Sequence, residues 1–183
     1  MSYADVLAEA IGHLEAAGIP YMITGSVASS FHGEPRATRD LDIVIDPAPS
    51  ALERLIDDLR TAGFYVDRDA AEDALRERTQ FNAIGAEAIK VDFIVRRDRP
   101  FSIAEFERRE RVELLGSTGF IATAEDVILA KLEWAAETDS ERQIRDVAGM
   151  LAVAGDTLDE AYLTTWAEKL GVEAGLQRCL DGI

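Results

Sequence analysis

The sequence predicts an α/β protein with a helical C-terminal part, and three observations lead to this fold class. Up to about residue 121, apolar residues recur either at helical spacing or in short strand-like runs, and the two kinds of segment are interspersed. Glycines and prolines separate the segments at turn positions. After residue 121 only helical spacing is found. We therefore predict an α/β core over residues 1–121 and, packed on it, a helical part over residues 122–183.

The elements of the α/β core follow from periodicity and from turn residues. Gly18 and Pro20 end the first helix, Gly25 ends the first strand, and Gly63 closes a strongly amphipathic helix. The helical part is divided by Gly155 and Gly171. The predicted helices of the core are 3–17, 26–33, 49–62, 70–77 and 101–110, and its strands are 21–24, 40–46, 64–67, two strands within 79–95 joined near Gly85, and a hairpin around 116–119.

Two residue pairs in the helical part have the spacing of helix N-capping pairs. They are Thr123 with Asp126 and Ser140 with Gln143. In such a pair the first side chain accepts a hydrogen bond from the backbone N–H group three residues later. Both pairs therefore predict helix starts.

Composition limits the classes of function. The 183 residues carry a formal net charge of −16, so the overall field repels nucleic acid and disfavours a long RNA acceptor. The single Cys179 excludes an internal disulfide and a cysteine-based zinc site. The sequence shows no signal peptide and no apolar run long enough to span a bilayer, so we expect a cytoplasmic protein that does not bind membranes.

Asp40 and Asp42 pose the central chemical question, because they lie inside an otherwise apolar predicted strand. Side chains alternate between the faces of a strand, so both carboxylates project the same way, while Leu41 and Ile43 point to the opposite, buried side. Two carboxylates held this close repel each other, and Mg²⁺ or Mn²⁺ would remove that repulsion. We therefore expect a site that its own charge destabilises when no metal is bound.

The Gly25–Ser26 step joins a predicted strand to a predicted helix. Backbone N–H groups at a helix N-terminus are unpaired, and with the helix dipole they favour phosphate oxygens. Gly25 allows close approach of the backbone. The sequence thus predicts a triphosphate contact at Gly25 and Ser26, near a metal on the aspartates.

Asp92 is a third carboxylate in a predicted strand, and Lys90 shares its face. Three aspartates on adjacent strands would hold two metal ions for in-line attack on phosphorus. Asp92 could also accept the proton of the attacking hydroxyl. Lys90 would face either the phosphates or the carboxylates, and the residues alone leave both alternatives open.

These residues resemble the nucleotidyltransferase superfamily of the DNA polymerase β type. More narrowly, the stretches "TGSVASSFHGEPRATRDLDIVI", "IKVDFIV" and "LAKLEWAAETDSERQIRDVAGML" are similar to small bacterial nucleotidyltransferases related to abortive-infection toxins of type IV toxin–antitoxin systems. The family pattern Arg, any residue, Ser or Thr, any residue, Asp is met by Arg36, Thr38 and Asp40. The resemblance spans roughly residues 20–155 and implies a mixed β-sheet flanked by helices.

The resemblance also implies roles in the helical part. The family places a Lys on one helix and an Arg–Asp pair on the next, which Lys131, Arg145 and Asp146 match. Arg36, Lys90, Lys131 and Arg145 thereby become candidate contacts of the NTP. Lys131 could instead be a surface lysine, and Arg145 with Asp146 a structural pair. Two departures are Ser26, where the family often has a second Gly, and a chain shorter than many of those toxins.

Two hypotheses for the function follow. The first is an enzyme that transfers an NMP from an NTP to a hydroxyl of a protein, an RNA end or a small molecule such as an antibiotic, with release of pyrophosphate. It could be the toxin of a type IV pair, with a cognate antitoxin as its partner. The second is a catalytically silent module of this fold that binds a partner protein. The presence of all three aspartates together favours the enzyme.

Overall fold

The computed structural model describes residues 2–35, 37–85 and 88–182, and its backbone contacts divide the chain into two compact units. The sheet unit comprises Met1–Ser26 and Thr38–Ile121, and the helical unit comprises Val27–Ala37 and Ala122–Ile183. Residues 27–37 therefore group with the helical unit, whereas the sequence boundary at residue 121 assigns them to the α/β core. Arg36, a candidate contact of the NTP, lies outside the described residues.

The sheet unit alternates helices and strands in the predicted order. Ser2 and Asp5 form a capping box at the start of its first helix, and Gly18 ends that helix in the left-handed conformation, as the sequence indicates. Its elements are α1 (Tyr3–Ala17), β1 (Tyr21–Ile23), the first residues of α2 (Gly25–His32), β2 (Asp40–Ile45), α3 (Pro49–Thr61), β3 (Tyr65–Val66), α4 (Arg68–Glu77), β4 (Gln80–Ile84), β5 (Lys90–Val95), α5 (Pro100–Glu107), β6 (Glu110–Leu114) and β7 (Ser117–Ile121).

The described strands form one seven-stranded mixed sheet in the order β3-β4-β5-β2-β1-β7-β6. The pairs β2–β5 and β1–β7 are parallel, and the other neighbours are antiparallel. The α/β fold class and the mixed sheet are thus confirmed. The predicted hairpin is confirmed as the pair β6–β7, but its turn lies at Leu115–Gly116. Gly119 is paired with Val112 inside the sheet.

Strands β2 and β5 are neighbours in the middle of the sheet, and their register shows which of their residues share each face. Leu41 lies beside Val91, Ile43 beside Phe93 and Ile45 beside Val95. None of these six side chains is exposed to solvent. Burial of this apolar row stabilises the pairing, at about 1.5–3 kcal/mol for each large side chain. The alternate residues, which include the candidate carboxylates, share the opposite face.

The helical unit consists of the end of α2 and four further helices, α6 to α9. Gly155 and Gly171 divide them as predicted. A further break lies just before Ser140, where the sequence predicted a helix start. Asp139 adopts a left-handed conformation there, with φ of 51°, which Asp tolerates better than most residues. The helices are α6 (Ala124–Thr138), α7 (Glu141–Ala154), α8 (Glu160–Leu170) and α9 (Glu173–Asp181).

Both helix starts predicted from capping pairs are confirmed, although the side-chain bond forms in the first pair and not in the second. Thr123 accepts a hydrogen bond from the Asp126 backbone N–H group, at 3.4 Å, and caps α6. Ser140 is the N-cap residue of α7 but makes no side-chain capping hydrogen bond. The Gln143 side chain contacts the neighbouring helix, where it accepts a hydrogen bond from Lys131 at 2.8 Å.

Buried polar contacts join α8 to α6. Asp126 is fully buried and accepts a hydrogen bond from the Tyr162 hydroxyl at 2.7 Å. The Glu125 carboxylate accepts one from the Asp159 backbone N–H group at 2.9 Å. These bonds compensate the loss of hydration of both carboxylates. No helix in the described part of the chain is long and apolar enough to cross a membrane.

Candidate active site

The candidate site is a row of charged residues on one face of the central strand pair. Asp40 lies beside Lys90, and Asp42 lies directly beside Asp92 in the parallel register of β2 and β5. The sequence correctly placed Asp40 and Asp42 on one face. The structure adds that Asp92 is the immediate cross-strand neighbour of Asp42, so three carboxylates and one ammonium share a small area.

Lys90 lies beside the carboxylates, one of the two positions that the sequence left open. Its ammonium lies 2.8 Å from Asp92 Oδ2 and 3.9 Å from Asp40 Oδ1. The hydrogen bond to Asp92 and the neighbouring carboxylates raise the pKa of Lys90, although partial burial opposes this. Lys90 thus neutralises part of the negative charge that the three aspartates bring to this site.

Asp92 is the most buried of the three candidate carboxylates. Only 5% of the residue is exposed, whereas the Asp40 side chain is 58% exposed. One Asp92 oxygen, Oδ2, binds Lys90, but the other, Oδ1, is buried and has no hydrogen-bond partner. A buried carboxylate oxygen without a donor is costly. This oxygen is therefore suited to receive a metal ion or a proton.

Gly25 brings the turn between β1 and α2 against the Asp42 carboxylate. Its φ of 62° is a conformation that favours glycine, and an added Cβ atom would lie 2.0 Å from Asp42 Oδ2. Next to it, the Thr24 backbone N–H group donates to the Asp42 carbonyl at 3.0 Å. The start of α2, with Gly25 and Ser26, thus touches one of the carboxylates, as the phosphate-site prediction requires.

Tyr3 is a member of this site that sequence reasoning missed. Its hydroxyl donates to the Asp40 carbonyl oxygen at 3.2 Å. Burial, followed by the charges of Asp42 and Asp40, raises the pKa of Tyr3 well above its ordinary value. The hydroxyl therefore stays protonated and remains a donor. No local signal could have found it, because 36 residues separate Tyr3 from Asp40 in the sequence.

The residues of this row fit a hard divalent cation. They supply carboxylate oxygens, which Mg²⁺ prefers, and one of these oxygens is buried without a partner. Among the described residues, however, no group of three or more His, Cys, Asp or Glu side chains is gathered closely enough to hold a metal ion as it stands. Since the Lys90 ammonium bonds to Asp92 Oδ2, a metal ion on Asp92 Oδ1 would lie close to a second positive charge unless Lys90 moves away.

The candidate residues of the helical unit form a second cluster. Lys131 is buried, and its ammonium donates to Asp146 and to Gln143, both at 2.8 Å. It is therefore not the surface lysine that the sequence left as an alternative. Asp146 pairs with Lys131 from the neighbouring helix, and Arg145 is exposed beside it on α7.

Comparison with known proteins places this fold. No protein-family model matches the chain, and no curated protein matches it. Among solved structures, a crystal structure of ANT(2″)-Ia in complex with adenylyl-2″-tobramycin superimposes with a TM-score of 0.64, covering 92% of this chain and 99% of that one at 15% identity. The chain has a nucleotidyltransferase fold.

Two further structures share the nucleotidyltransferase fold. A nucleotidyltransferase-like protein from Paracoccidioides brasiliensis covers 97% of this chain and 91% of its own, with a TM-score of 0.60 and 17% identity. The lincomycin-bound lincosamide adenylyltransferase LnuA covers 84% of this chain and 98% of its own, with a TM-score of 0.57 and 12% identity. The predicted superfamily resemblance is confirmed at the level of the fold.

Proposed function

We propose that this protein is a metal-dependent enzyme that transfers a nucleoside monophosphate from an NTP to a hydroxyl and releases pyrophosphate. The observation that carries the proposal is the contact between the Gly25–Ser26 turn and Asp42, which is itself paired in register with Asp92. This arrangement brings a phosphate-binding helix start and two carboxylates to one place. The nucleotidyltransferase fold supports the same reaction.

Each residue of the row has a task in this reaction. Asp40, Asp42 and Asp92 would hold Mg²⁺ or Mn²⁺, and the backbone at Gly25 and Ser26 would bind phosphate oxygens. Bound Mg²⁺ would supply neutralisation of the triphosphate charge and of the carboxylates. Lys90, once released from Asp92, would contact the phosphates instead.

The proposed reaction forms one bond and breaks one bond, and a carboxylate of this chain takes up the proton. The acceptor oxygen forms a bond to the α-phosphorus, and the bond from that phosphorus to the pyrophosphate oxygen breaks. The proton of the acceptor hydroxyl passes to Asp92, whose Oδ1 has no other partner. Pyrophosphate leaves with the negative charge.

The decisive experiment measures incorporation of label from each of four α-labelled NTPs with Mg²⁺ in cell extract. We expect the wild type to label an acceptor and the Asp40→Asn/Asp42→Asn variant to lose at least about a hundredfold of that rate. Asp46→Asn is a matched control, because Asp46 follows the same strand but pairs with Arg96 at 3.0 Å. If neither protein incorporates label and NTP with Mg²⁺ leaves the Tm unchanged, the enzyme proposal fails.

The proposal has finer versions, which differ in the molecule that receives the nucleotide. The resemblance to type IV toxins supports a toxin with a cognate antitoxin, acting in the cytoplasm on a protein or on an RNA end. Expression of the wild type would then arrest growth, whereas the Asp40→Asn/Asp42→Asn variant would not. A partner that relieves the arrest would identify the antitoxin. Growth at the uninhibited rate in both cases counts against the toxin version.

Modification of an antibiotic is a second candidate, because two of the superimposed structures hold an adenylylated aminoglycoside and a lincosamide. It is tested by incubating the protein with labelled ATP and Mg²⁺ together with tobramycin or lincomycin. Transfer of label to either compound would support this version. A silent binding module remains the alternative from a different class, and it predicts neither label transfer nor stabilisation by NTP with Mg²⁺.

A further inference from the structure

A cavity of about 370 Å³ lies within the helical unit, and one face of α7 forms its floor. Arg142, Arg145, Asp146 and Gly149 line it, at positions i, i+3, i+4 and i+7 of the helix. Residues at this spacing project from one side of a helix. Two guanidinium groups and one carboxylate are therefore presented to the same space.

The wall facing α7 is formed by the end of α2 and the turn after it. Glu34 approaches Gly149, where an added Cβ atom would lie 3.7 Å from the Glu34 Cγ atom. An added Cβ atom at Gly33 would lie 2.9 Å from the Met150 side chain and 3.1 Å from its Cα atom. Only glycine at position 33 lets this turn lie so close to α7. The cavity is thus bounded by tightly packed backbone.

The charge of the cavity is more positive than that of its surroundings. The helical unit contains 14 Asp and Glu residues and six Lys and Arg residues, a difference of −8. At the cavity the Asp146 carboxylate is already neutralised by Lys131 at 2.8 Å. Arg142 and Arg145 then face Glu34 as the one further carboxylate among the lining residues. Lys131, Arg142 and Arg145 are half of the six basic residues of this acidic unit, and they lie at the cavity or pair with a residue that lines it.

We propose that this cavity binds a small molecule through its phosphate or carboxylate group. The proposal goes beyond the proposed function, because it names a second ligand of the chain that is held by the helical unit alone. Arginine presents paired N–H donors that match the oxygens of such anions. Glu34 lines the same cavity and can accept hydrogen bonds from hydroxyl groups of the same molecule.

The volume of the cavity and the charge of its lining residues limit the class of molecule that can bind there. A volume near 370 Å³ lies at the lower end of the range for small-molecule sites, so a small metabolite fits better than a polymer. The two arginines repel a polyamine. The ligand expected here therefore differs from aminoglycosides, one of which is part of the ligand bound in the superimposed ANT(2″)-Ia crystal structure.

The test is calorimetric binding of four probes to the full chain without metal: inorganic phosphate, glucose 6-phosphate, glucose and tobramycin. We expect the two phosphates to bind, and glucose and tobramycin not to bind. Arg142→Gln should weaken glucose 6-phosphate binding about tenfold, the loss of one charge-assisted contact. Arg178→Gln is the matched control, because Arg178 lies outside this cavity and pairs with Glu141, and it should change the affinity less than about twofold.

Two further arms separate this proposal from its alternatives. Asp40→Asn/Asp42→Asn should retain glucose 6-phosphate binding, so a failure of the transferase proposal would leave this result intact. Saturating ATP with Mg²⁺ should not displace glucose 6-phosphate. Displacement would mean that the cavity holds the phosphates of the NTP, and the proposal of a separate ligand would be overturned. Equal losses in Arg142→Gln and Arg178→Gln, or no binding of either phosphate to the wild type, would overturn it as well.

Discussion

The two lysine–aspartate pairs of this protein have the same separation and different surroundings. In the sheet unit Lys90 lies 2.8 Å from Asp92, and in the helical unit Lys131 lies 2.8 Å from Asp146. The Lys90 side chain is 39% exposed, whereas that of Lys131 is 7% exposed and also binds Gln143. Burial of the lysine, rather than the distance, decides whether the ammonium can leave its partner.

Because the two lysines differ in exposure, we expect the two pairs to have different roles. An ammonium that already touches water is rehydrated at little cost, so Lys90 can give up Asp92 to a metal ion. An ammonium enclosed by protein loses its hydration on folding and depends on Asp146 and Gln143 to replace it. We therefore expect the Lys90 pair to respond to Mg²⁺ and the Lys131 pair to hold α6 and α7 together.

The largest effect is expected for Lys131→Met, which leaves the Asp146 carboxylate without its buried cation. Removing one partner of a buried ion pair costs about 3–5 kcal/mol, and we expect a loss near the lower limit because Asp146 is 11% exposed. Urea unfolding followed by circular dichroism measures it. Lys169→Met is the control, since the Lys169 ammonium lies over the Trp166 ring and its loss should cost about 1 kcal/mol or less.

The double variant Lys131→Met/Asp146→Leu sharpens this result. An apolar pair of similar size in place of a buried ion pair is often neutral or stabilising. The double variant should therefore recover most of the stability lost in Lys131→Met. If both variants are as stable as the wild type, Lys131 is not held by its partner, and the contrast between the two pairs disappears.

The next largest effect is expected for Gly25→Ala, a variant that tests the contact between the β1–α2 turn and the Asp42 carboxylate. The new Cβ atom would overlap the Asp42 carboxylate, and the positive φ adds about 1–2 kcal/mol of strain. We expect a Tm lower than that of the wild type and no stabilisation by Mg²⁺ with NTP. Gly63→Ala is the matched control, because φ is +93° there but an added Cβ atom contacts nothing within 4 Å. Similar loss of Mg²⁺ stabilisation in both variants would disconnect the turn from the site.

A smaller effect with an informative sign is expected for Lys90→Met. Without metal, the variant should lose about 1 kcal/mol or less, because the pair is partly exposed. With Mg²⁺ it should gain more stability than the wild type does, since the metal no longer competes with an ammonium for Asp92. Thermal unfolding in EDTA and in a Mg²⁺ titration measures both. A smaller Mg²⁺ effect in Lys90→Met than in the wild type would show that Lys90 assists the metal rather than competes with it.

The smallest effect is the dependence of the Lys90 contribution on pH. The pKa of Lys90 is raised in the folded protein, so its stabilising effect is complete below the ordinary lysine pKa of about 10.4 and is lost as the pH rises through the higher folded value. The difference in unfolding free energy between wild type and Lys90→Met should stay constant from about pH 7 to 9 and shrink above about pH 10.5. A difference that already shrinks between pH 7 and 9 contradicts this assignment.

Much of the local structure could be predicted because its signals are local. Apolar spacing and Gly18 located α1, and alternation along β2 placed Asp40 and Asp42 on one face. The helix start at Ser140 was predicted as well, and Asp139 ends α6 just before it. The Ser140 side chain nevertheless makes no capping hydrogen bond, since the spacing of two residues does not set the geometry of a side chain.

The sequence by itself determined which elements form and which strand-borne carboxylates are candidates for the site, since periodicity and turn residues act over a few positions. Only the tertiary structure decided that Asp42 lies beside Asp92, that Lys90 binds the carboxylates, and that Tyr3 joins them. It also decided that Lys131 is buried against Asp146. The physical reason is that strand register and helix packing depend on the burial of many side chains from distant parts of the chain, which no local pattern encodes.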